Sequence, residues 1–472
     1  MNHPVAAPAP AAGREKRRWY ALGLLSVAQF MLILDVTVVN VALPSIGSDL
    51  RLGRETLTWV VTAYTLTFGG LMLLGGRLAD AIGARRSLLA GLTLFTLASL
   101  TSGLATDGAT LLAGRIGQGV GAALLSPAAL AIVTTTFHGA ERTRALGVWA
   151  ALGGIGSAAG VLLGGLLTAT AGWQWVFFIN LPVGVAVLVA LPLTVPAIAS
   201  RPARLDLPGA VLVTAATSAL IYGLVKAGDA GWDGPATLAG LGGAVLLYAA
   251  FLLVERATRA PLIDVRLLTR RPIVAGAVLM LVATALLIAF FFLGSVYLQH
   301  ARGYTALATG LMFLPVAVAT GGGAHLGSRF VSRIGGRPVA AGGLALAAAG
   351  SWLLTGLPDD GNPWIRLLPG FVIAAAGLGA TFVSATTTAL GFITHEEAGL
   401  TSGLVNTFHE VGGSVGVAVF STVAAAGIGA GTTAGYRTAF AVGAVAAAVT
   451  AVAALRLVPA GRPHLTGAPM GH

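Results

Sequence analysis

The stretch Gly76–Arg86, GRLADAIGARR, lies between two long apolar runs and decides how the rest of the chain is read. Arg77, Asp80, Arg85 and Arg86 interrupt sequence that is membrane-like on both sides, so the stretch is a tight connection between two membrane helices. Gly76 and Gly83 permit close helix approach and a sharp turn. Asp80 can accept bonds from a helix N-terminus or from arginines on neighbouring helices, latching one side of a bundle. A weaker copy follows at Ser328–Pro338, SRFVSRIGGRP, with Ser332 in the place of Asp80. Its latch is expected to be weaker or absent. Arg77 and Arg329 stand 252 residues apart, and the chain reads as two related halves.

Composition limits the choices outside this stretch. Apolar residues make up 56% of the 472 residues and charged ones 10%, against roughly a quarter charged in soluble domains. The mean hydropathy is +0.86, and no soluble core absorbs that much apolar surface. Inside lipid every backbone group must be bonded within its own segment, which leaves helices or a closed barrel. Barrels use segments of roughly ten residues with alternating polarity. The unbroken runs here of about twenty residues or more span a bilayer as helices. An all-α polytopic membrane protein follows, with the lipid bilayer as its surroundings.

The net charge of +11 does not signal nucleic acid, because the basic residues are scattered singly through short loops without an aromatic-interleaved stripe. Cysteine is absent, which excludes disulfides and thiolate metal sites. The eight histidines are dispersed, and neither a metal-ligand cluster nor a phosphate loop occurs, so no metal, cofactor or direct use of ATP is expected. Residues 1–18 read as a disordered basic tail ending in Arg14, Lys16, Arg17 and Arg18. The run from Trp19 to Leu43 is too long for a signal-peptide core and carries Asp35, so it is expected to be a retained first helix.

Apolar runs give fourteen spans: 19–43, 57–77, 86–105, 109–136, 143–169, 173–195, 206–226, 235–254, 273–299, 305–330, 338–357, 363–391, 399–424 and 434–458. With both termini inside, 21 of the 28 Lys and Arg fall on the cytoplasmic side, as the positive-inside rule requires. The repeat spacing leaves eight spans between the two copies. The expected architecture is therefore a six-helix bundle over 19–195, linkers with two inserted helices over 196–272, a second six-helix bundle over 273–458, and a short tail at 459–472. Parallel halves with a site between them are a recurring transporter design.

Ionisable residues inside lipid are costly and usually mark a functional path. Three stand out. Asp35, in LDVTVVNVALP (Leu34–Pro44), meets the requirement for proton coupling, since burial lets a carboxylate take up and release a proton. The alternative is a structural aspartate satisfied by Thr37 and Asn40. Arg115, in LLAGRIGQGVGAALLSP (Leu111–Pro127), is charged at any working pH and can tune a carboxylate; otherwise it snorkels to the nearer interface. Glu410, beside His409 in GLVNTFHEVGGSVG (Gly403–Gly416), reads as a second protonatable site, a counter-charge for a cationic substrate, or a neutral acid bonded to helix neighbours. Asn40, Gln118, Asn406, His409 and Glu410 are the polar residues expected to line a substrate cavity. Gly156, Gly160 and Gly164 recur every four residues and form a packing stripe. The segment GGSVG at Gly412–Gly416 fits a hydrolase pattern, but it lies inside an apolar helix rather than at a strand–turn–helix, and chance explains it.

Taken together, LDVTVVNVALP, GRLADAIGARR, GRIGQGVGAALLSP, GWQWVFFINLPVG (Gly172–Gly184) and GLVNTFHEVGGSVGVAVF resemble the 14-helix drug:proton antiporter family of the major facilitator superfamily, over nearly the whole chain. The resemblance implies that Asp35 and Arg115 take part in proton coupling and that the loop around Asp80 controls opening. It also makes Gly160, Gly164 and Gly165 part of an antiporter motif. Where that motif has a proline this chain has Val161, which should leave the helix straighter. The implied protein is an exporter of amphipathic drugs or natural-product-like molecules in the bacterial inner membrane, a monomer driven by the proton gradient with no cofactor. A proton-coupled uptake carrier and a non-transporting receptor with a carrier fold are the alternatives.

Overall fold

The structure is a computed structural model, and it describes residues 12–137, 139–195, 206–258, 261–262, 266–357, 362–391, 398–425 and 432–461. The N-terminal eleven residues, the whole 196–205 linker with Arg201 and Arg204, Arg259, and the C-tail from Arg462 lie outside the described residues. The first half contains α1 (Ala12–Asp49), α2 (Arg54–Ile82), α3 (Ala84–Gly103), α4 (Gly108–Thr136), α5 (Gly139–Thr170) and α6 (Asn180–Thr194). The inserted pair is α7 (Leu207–Ala230) and α8 (Pro235–Ala257). The second half contains α9 (Arg271–Val296), α10 (Ala306–Ile334), α11 (Gly336–Leu353), α12 (Leu368–Leu390), α13 (Ala398–Val423) and α14 (Ala434–Leu457). Eleven of these helices, some with a short flanking turn, are long and apolar enough to cross a membrane. No strand occurs among the described residues.

Local chemistry sets the helix ends. Gly83 (φ 95°) and Gly335 (φ 87°) adopt the left-handed region that glycine tolerates, and each turns one helix straight into the next. Asp107 caps α4 by accepting from the Thr110 N–H at 2.9 Å, and Asp206 caps α7 through the Gly209 N–H at 2.8 Å. Two expected spans are each broken once. The span 173–195 divides into a turn at Trp175–Phe178 and α6, because Pro182 has no N–H to offer the Phe178 carbonyl. Pro369 does the same to Ile365, separating Pro363–Arg366 from α12.

One boundary differs from the sequence expectation. Residues 12–18 belong to α1 instead of a disordered tail. Arg17 Nε donates to the Thr194 carbonyl at the end of α6 (3.1 Å), and Arg18 pairs with Glu141 of α5 at 3.3 Å. These contacts tie the first turns down. The second half repeats the first contact, with Arg271 at the start of α9 donating to the Leu457 carbonyl of α14 (3.1 Å). Arg85 likewise reaches the Pro192 carbonyl at 3.3 Å, and Arg337 reaches Val458 at 2.7 Å. In both halves two arginines therefore meet the C-terminal carbonyls of the sixth helix, where cations are favoured.

The halves join along two seams of different chemistry. On one, α5 packs on α10 backbone to backbone: a Cβ on Gly165 would stand 2.7 Å from the Ala306 carbonyl oxygen, and one on Gly310 2.6 Å from that of Val161. On the other, α2 and α13 are linked by hydroxyl pairs, Thr58 with Ser421 at 2.8 Å and Thr65 with Ser414 at 2.5 Å. Arg54 adds bonds to Ser421 Oγ at 3.0 Å and to the Val225 carbonyl of α7 at 3.1 Å. The inserted pair lies over this second seam. α8 turns Leu238, Val245, Leu246 and Leu253 outward, as a lipid-facing helix does.

Candidate functional site: a buried ion pair in the first half

Asp35 of α1 and Arg115 of α4 are 0% and 1% exposed, and Arg115 Nη1 donates to Asp35 Oδ2 at 2.5 Å. Arg115 Nε donates to the Val60 carbonyl of α2 at 2.9 Å, and Nη1 also reaches Gln118 Oε1 at 2.8 Å. Its guanidinium lies over the Tyr64 ring, 4.4 Å from the centroid, so both the plane and the edges of the cation are occupied. The other carboxylate oxygen, Asp35 Oδ1, accepts from Gln118 Nε2 and from Asn180 Nδ2, each at 2.9 Å. Both amides also donate to Ser99 Oγ of α3, at 2.9 Å and 3.3 Å. Helices α1, α2, α3, α4 and α6 thus converge on one ion pair and the two amides that hold it.

The network settles two alternatives raised by the sequence. Arg115 does not snorkel, because its whole side chain is enclosed. Thr37 and Asn40 do not satisfy Asp35: Thr37 donates to the Leu34 carbonyl at 3.0 Å and Asn40 to that of Val36 at 2.7 Å. Three partners, Tyr64, Ser99 and Asn180, were missed by the sequence reading. Asn180 lies inside the quoted GWQWVFFINLPVG, but as a neutral residue in an apolar helix it carried no signal.

The five residues expected to line one cavity do not share a surface. Gln118 and Asn40 are buried, Gln118 as an Asp35 partner. Asn406 is exposed on α13. His409 is 41% exposed and its Nδ1 lies 3.2 Å from Glu410 Oε1, while Glu410 is 13% exposed. The His409 ring also packs on Phe382 of α12, with centroids 5.8 Å apart. Glu410 presses against Gly69 of α2, where a Cβ would come within 2.5 Å of the glutamate Cβ. Gly412 and Gly416 pack on Leu281 and Ala285 of α9, and GGSVG is a helix-packing segment.

In the α2–α3 loop, Arg77 donates to the Pro261 carbonyl at 3.0 Å, which ties the end of α2 to the linker before α9. Gly76 faces Pro127 of α4. Arg86 and Asp80 are exposed, and Asp80 makes no hydrogen bond or ion pair among the described residues. In the second copy Ser332 donates only to the Arg329 carbonyl of its own turn (2.7 Å). On α5, Gly156 lies against Ile33, Gly160 against Thr37 and Gly164 against Val38, all of α1. Helix α5 runs unbroken through Val161, whose side chain is buried.

A duplicated six-helix bundle that seals a carboxylate–guanidinium pair inside one half has the build of a polytopic membrane carrier. The profile of the Major Facilitator Superfamily matches residues 25–417. The chain is 40% identical over 418 residues to the puromycin resistance protein pur8 of Streptomyces alboniger, covering 87% of this chain and 82% of that protein. It is 40% identical to the cephamycin export protein CmcT of Amycolatopsis lactamdurans over 86% of this chain and 85% of that one. The tetracenomycin C resistance and export protein of Streptomyces glaucescens is 35% identical, over 89% and 78%. Among solved structures, the POT family transporter PepTSo shares the fold with a TM-score of 0.68 at 15% identity, over 93% of this chain and 97% of that one. A bacterial homologue of the lysosomal transporter Spinster, inward-facing and unoccupied, gives 0.65 at 17% identity, over 96% and 98%. The chain belongs to the Major Facilitator Superfamily and is a membrane transporter for small molecules.

Proposed function

We propose that the protein is a proton-coupled exporter of amphipathic drugs or natural-product-like compounds in the bacterial inner membrane. The observation that carries this reading is the sealed Asp35–Arg115 pair. An ionised pair held out of water has no stability advantage over apolar packing, so its place in a carrier is best explained by proton traffic. The names of the relatives, resistance and export proteins for chemically different antibiotics, support the outward direction and the substrate class.

In this account a proton enters from outside, neutralises Asp35 and loosens its hold on Arg115, while a substrate molecule leaves. The bundles 19–195 and 273–458 rock about the glycine seam and the hydroxyl seam, and helices α7 and α8 stay outside the cavity between them. Both termini are cytoplasmic, the monomer is the working unit, and the proton gradient replaces any cofactor. The packing of α5 on α10 at Gly165 lies at the end where α1 meets α2, and Asp80 at the other end makes no hydrogen bond or ion pair among the described residues. Asp80 would engage when the cytoplasmic side closes. Glu410 and His409, half-buried beside the α2–α13 seam, serve as a second protonatable pair or as a counter-charge for cationic substrates.

The test is the direction of transport. Compounds of this class should accumulate in inside-out vesicles carrying the protein under an imposed proton gradient. Accumulation confined to right-side-out vesicles would replace the exporter with an uptake carrier. Ligand binding with no flux in either orientation would make it a receptor.

A further inference from the structure

The first turn of α6 carries a side chain whose bonding is only half used. Asn180 donates its amide N–H to Asp35 Oδ1 and to Ser99 Oγ. Its carbonyl oxygen Oδ1 is buried with no hydrogen-bond partner among the described residues. A buried acceptor left unpaired costs free energy, and this one is committed to no other group among the described residues. The one other amide on the carboxylate, Gln118, has its oxygen taken up by Arg115.

We propose that Asn180 is the positioning residue that reads the protonation state of Asp35; the inference rests on Asp35 being the proton carrier. With Asp35 ionised, the Asn180 N–H holds the carboxylate. When a proton binds at Oδ1 the carboxyl group becomes a donor and needs an acceptor. Turning the Asn180 amide about its terminal bond exchanges N and O almost without moving heavy atoms. Asn180 Oδ1 then accepts the new O–H, the Ser99 hydroxyl is free to rotate and donate to it as well, and Nδ2 takes the position that Oδ1 held. No covalent bond other than the added O–H forms or breaks. Arg115 keeps the Val60 carbonyl, Gln118 Oε1 and the Tyr64 ring, so it remains housed while its counter-ion is neutral. Asn180 opens α6 directly after the proline-enforced break, where a changed bond at one residue is passed to a whole helix.

The ionisable groups facing this site are few. Arg115 comes from α4 and Tyr64 from α2; Glu410 and His409 of α13 lie beside the α2–α13 seam. From α3 comes Ser99, which does not titrate in this range. The parts of α5 and α9 nearest α1, Gly156–Gly164 and Ile273–Val296, contain no ionisable residue.

The experiment is an infrared pH titration of the full-length protein in liposomes, following the carboxyl band that Asp35→Asn removes. It needs no transport substrate. Asn180→Leu, which loses the stronger bond to the ionised form as well as the weaker one to the neutral form, should raise the pH of half-protonation by about one unit. Asn180→Asp, which sets a second carboxyl beside the first, should raise it further. If Asn180→Leu does not fold by gel filtration, Ser99→Ala should still give a smaller upward shift. A midpoint that stays with the wild type in folded variants would reduce Asn180 to packing and overturn the proposal, as would the lack of any Asp35-dependent band at every pH. Shifted midpoints in a protein with no transport would sink the exporter reading and leave this inference standing.

Discussion

The two halves share a helix plan and end in the same way, with paired arginines on the carbonyls of their sixth helix, yet their interiors are opposites. In the first half α1, α4 and α6 bring Asp35, Arg115 and Asn180 together. The corresponding helices of the second half, α9, α12 and α14, bring Phe290, Phe371 and Phe440 together, with ring centroids 5.5–6.0 Å apart. Phe313 of α10 and Phe420 of α13 complete that cluster. The fold therefore fixes where an interior site lies but not what fills it. One half holds a titratable charge, and the other is a buried, apolar, aromatic body.

The largest effect should come from breaking the ionic interior. Arg115→Met leaves a buried carboxylate without its counter-ion, which costs about 3–5 kcal/mol unless Asp35 takes up a proton permanently. Either way coupling is lost. Thermal melting in detergent and compound-driven proton flux should both show it, and a variant with wild-type flux would contradict the assigned partnership. Next in size is Phe371→Ala in the aromatic interior, where the cavity left behind costs about 3 kcal/mol. Here the expected outcome is a lower melting temperature with an unchanged pH profile of transport. A shifted profile would mean that the second half also carries the proton.

The smallest effect concerns the helix starts. α4 is capped by Asp107 and the turn leading into α12 by Asn362, whose side chain accepts from the Trp364 N–H at 3.0 Å. The Thr110 N–H holds the exposed Asp107 carboxyl below the usual carboxylate range, and the Thr110 hydroxyl adds to this. A group whose folded value is depressed contributes stability above its unfolded value and loses it as pH falls through the folded one. The first half should thus lose a little stability in acid that the Asn362 cap does not. Asp107→Asn should remove that acid sensitivity in melting curves from neutral to low pH, and an unaltered acid slope would show that the cap contributes nothing.

Legibility in the sequence followed the same division. Asp35 and Arg115 were visible because a charge in an apolar run has few harmless explanations. The fourteen spans and the duplicated turn at Gly83 and Gly335 were visible because hydropathy and glycine spacing are local. Asn180, Ser99 and Tyr64 were hidden, since neutral polar residues in membrane helices commonly bond their own backbone, as Thr37 and Asn40 do. The helix over residues 12–18 was hidden for another reason: its anchors, the Thr194 carbonyl and Glu141, are distant in sequence. The aromatic core was legible only as apolar residues, because which phenylalanines meet depends on helix rotation.

In the proposed exporter Asp35 carries the coupled proton. The most direct test is the pH inside inverted, energised vesicles on addition of a panel of lipophilic compounds, for the wild type and Asp35→Asn. Compound-triggered proton release is expected in the wild type and none in Asp35→Asn, with both proteins present at equal amount in the membrane. Release that survives the substitution would contradict this and move the proton to another group, with Glu410 the first to examine.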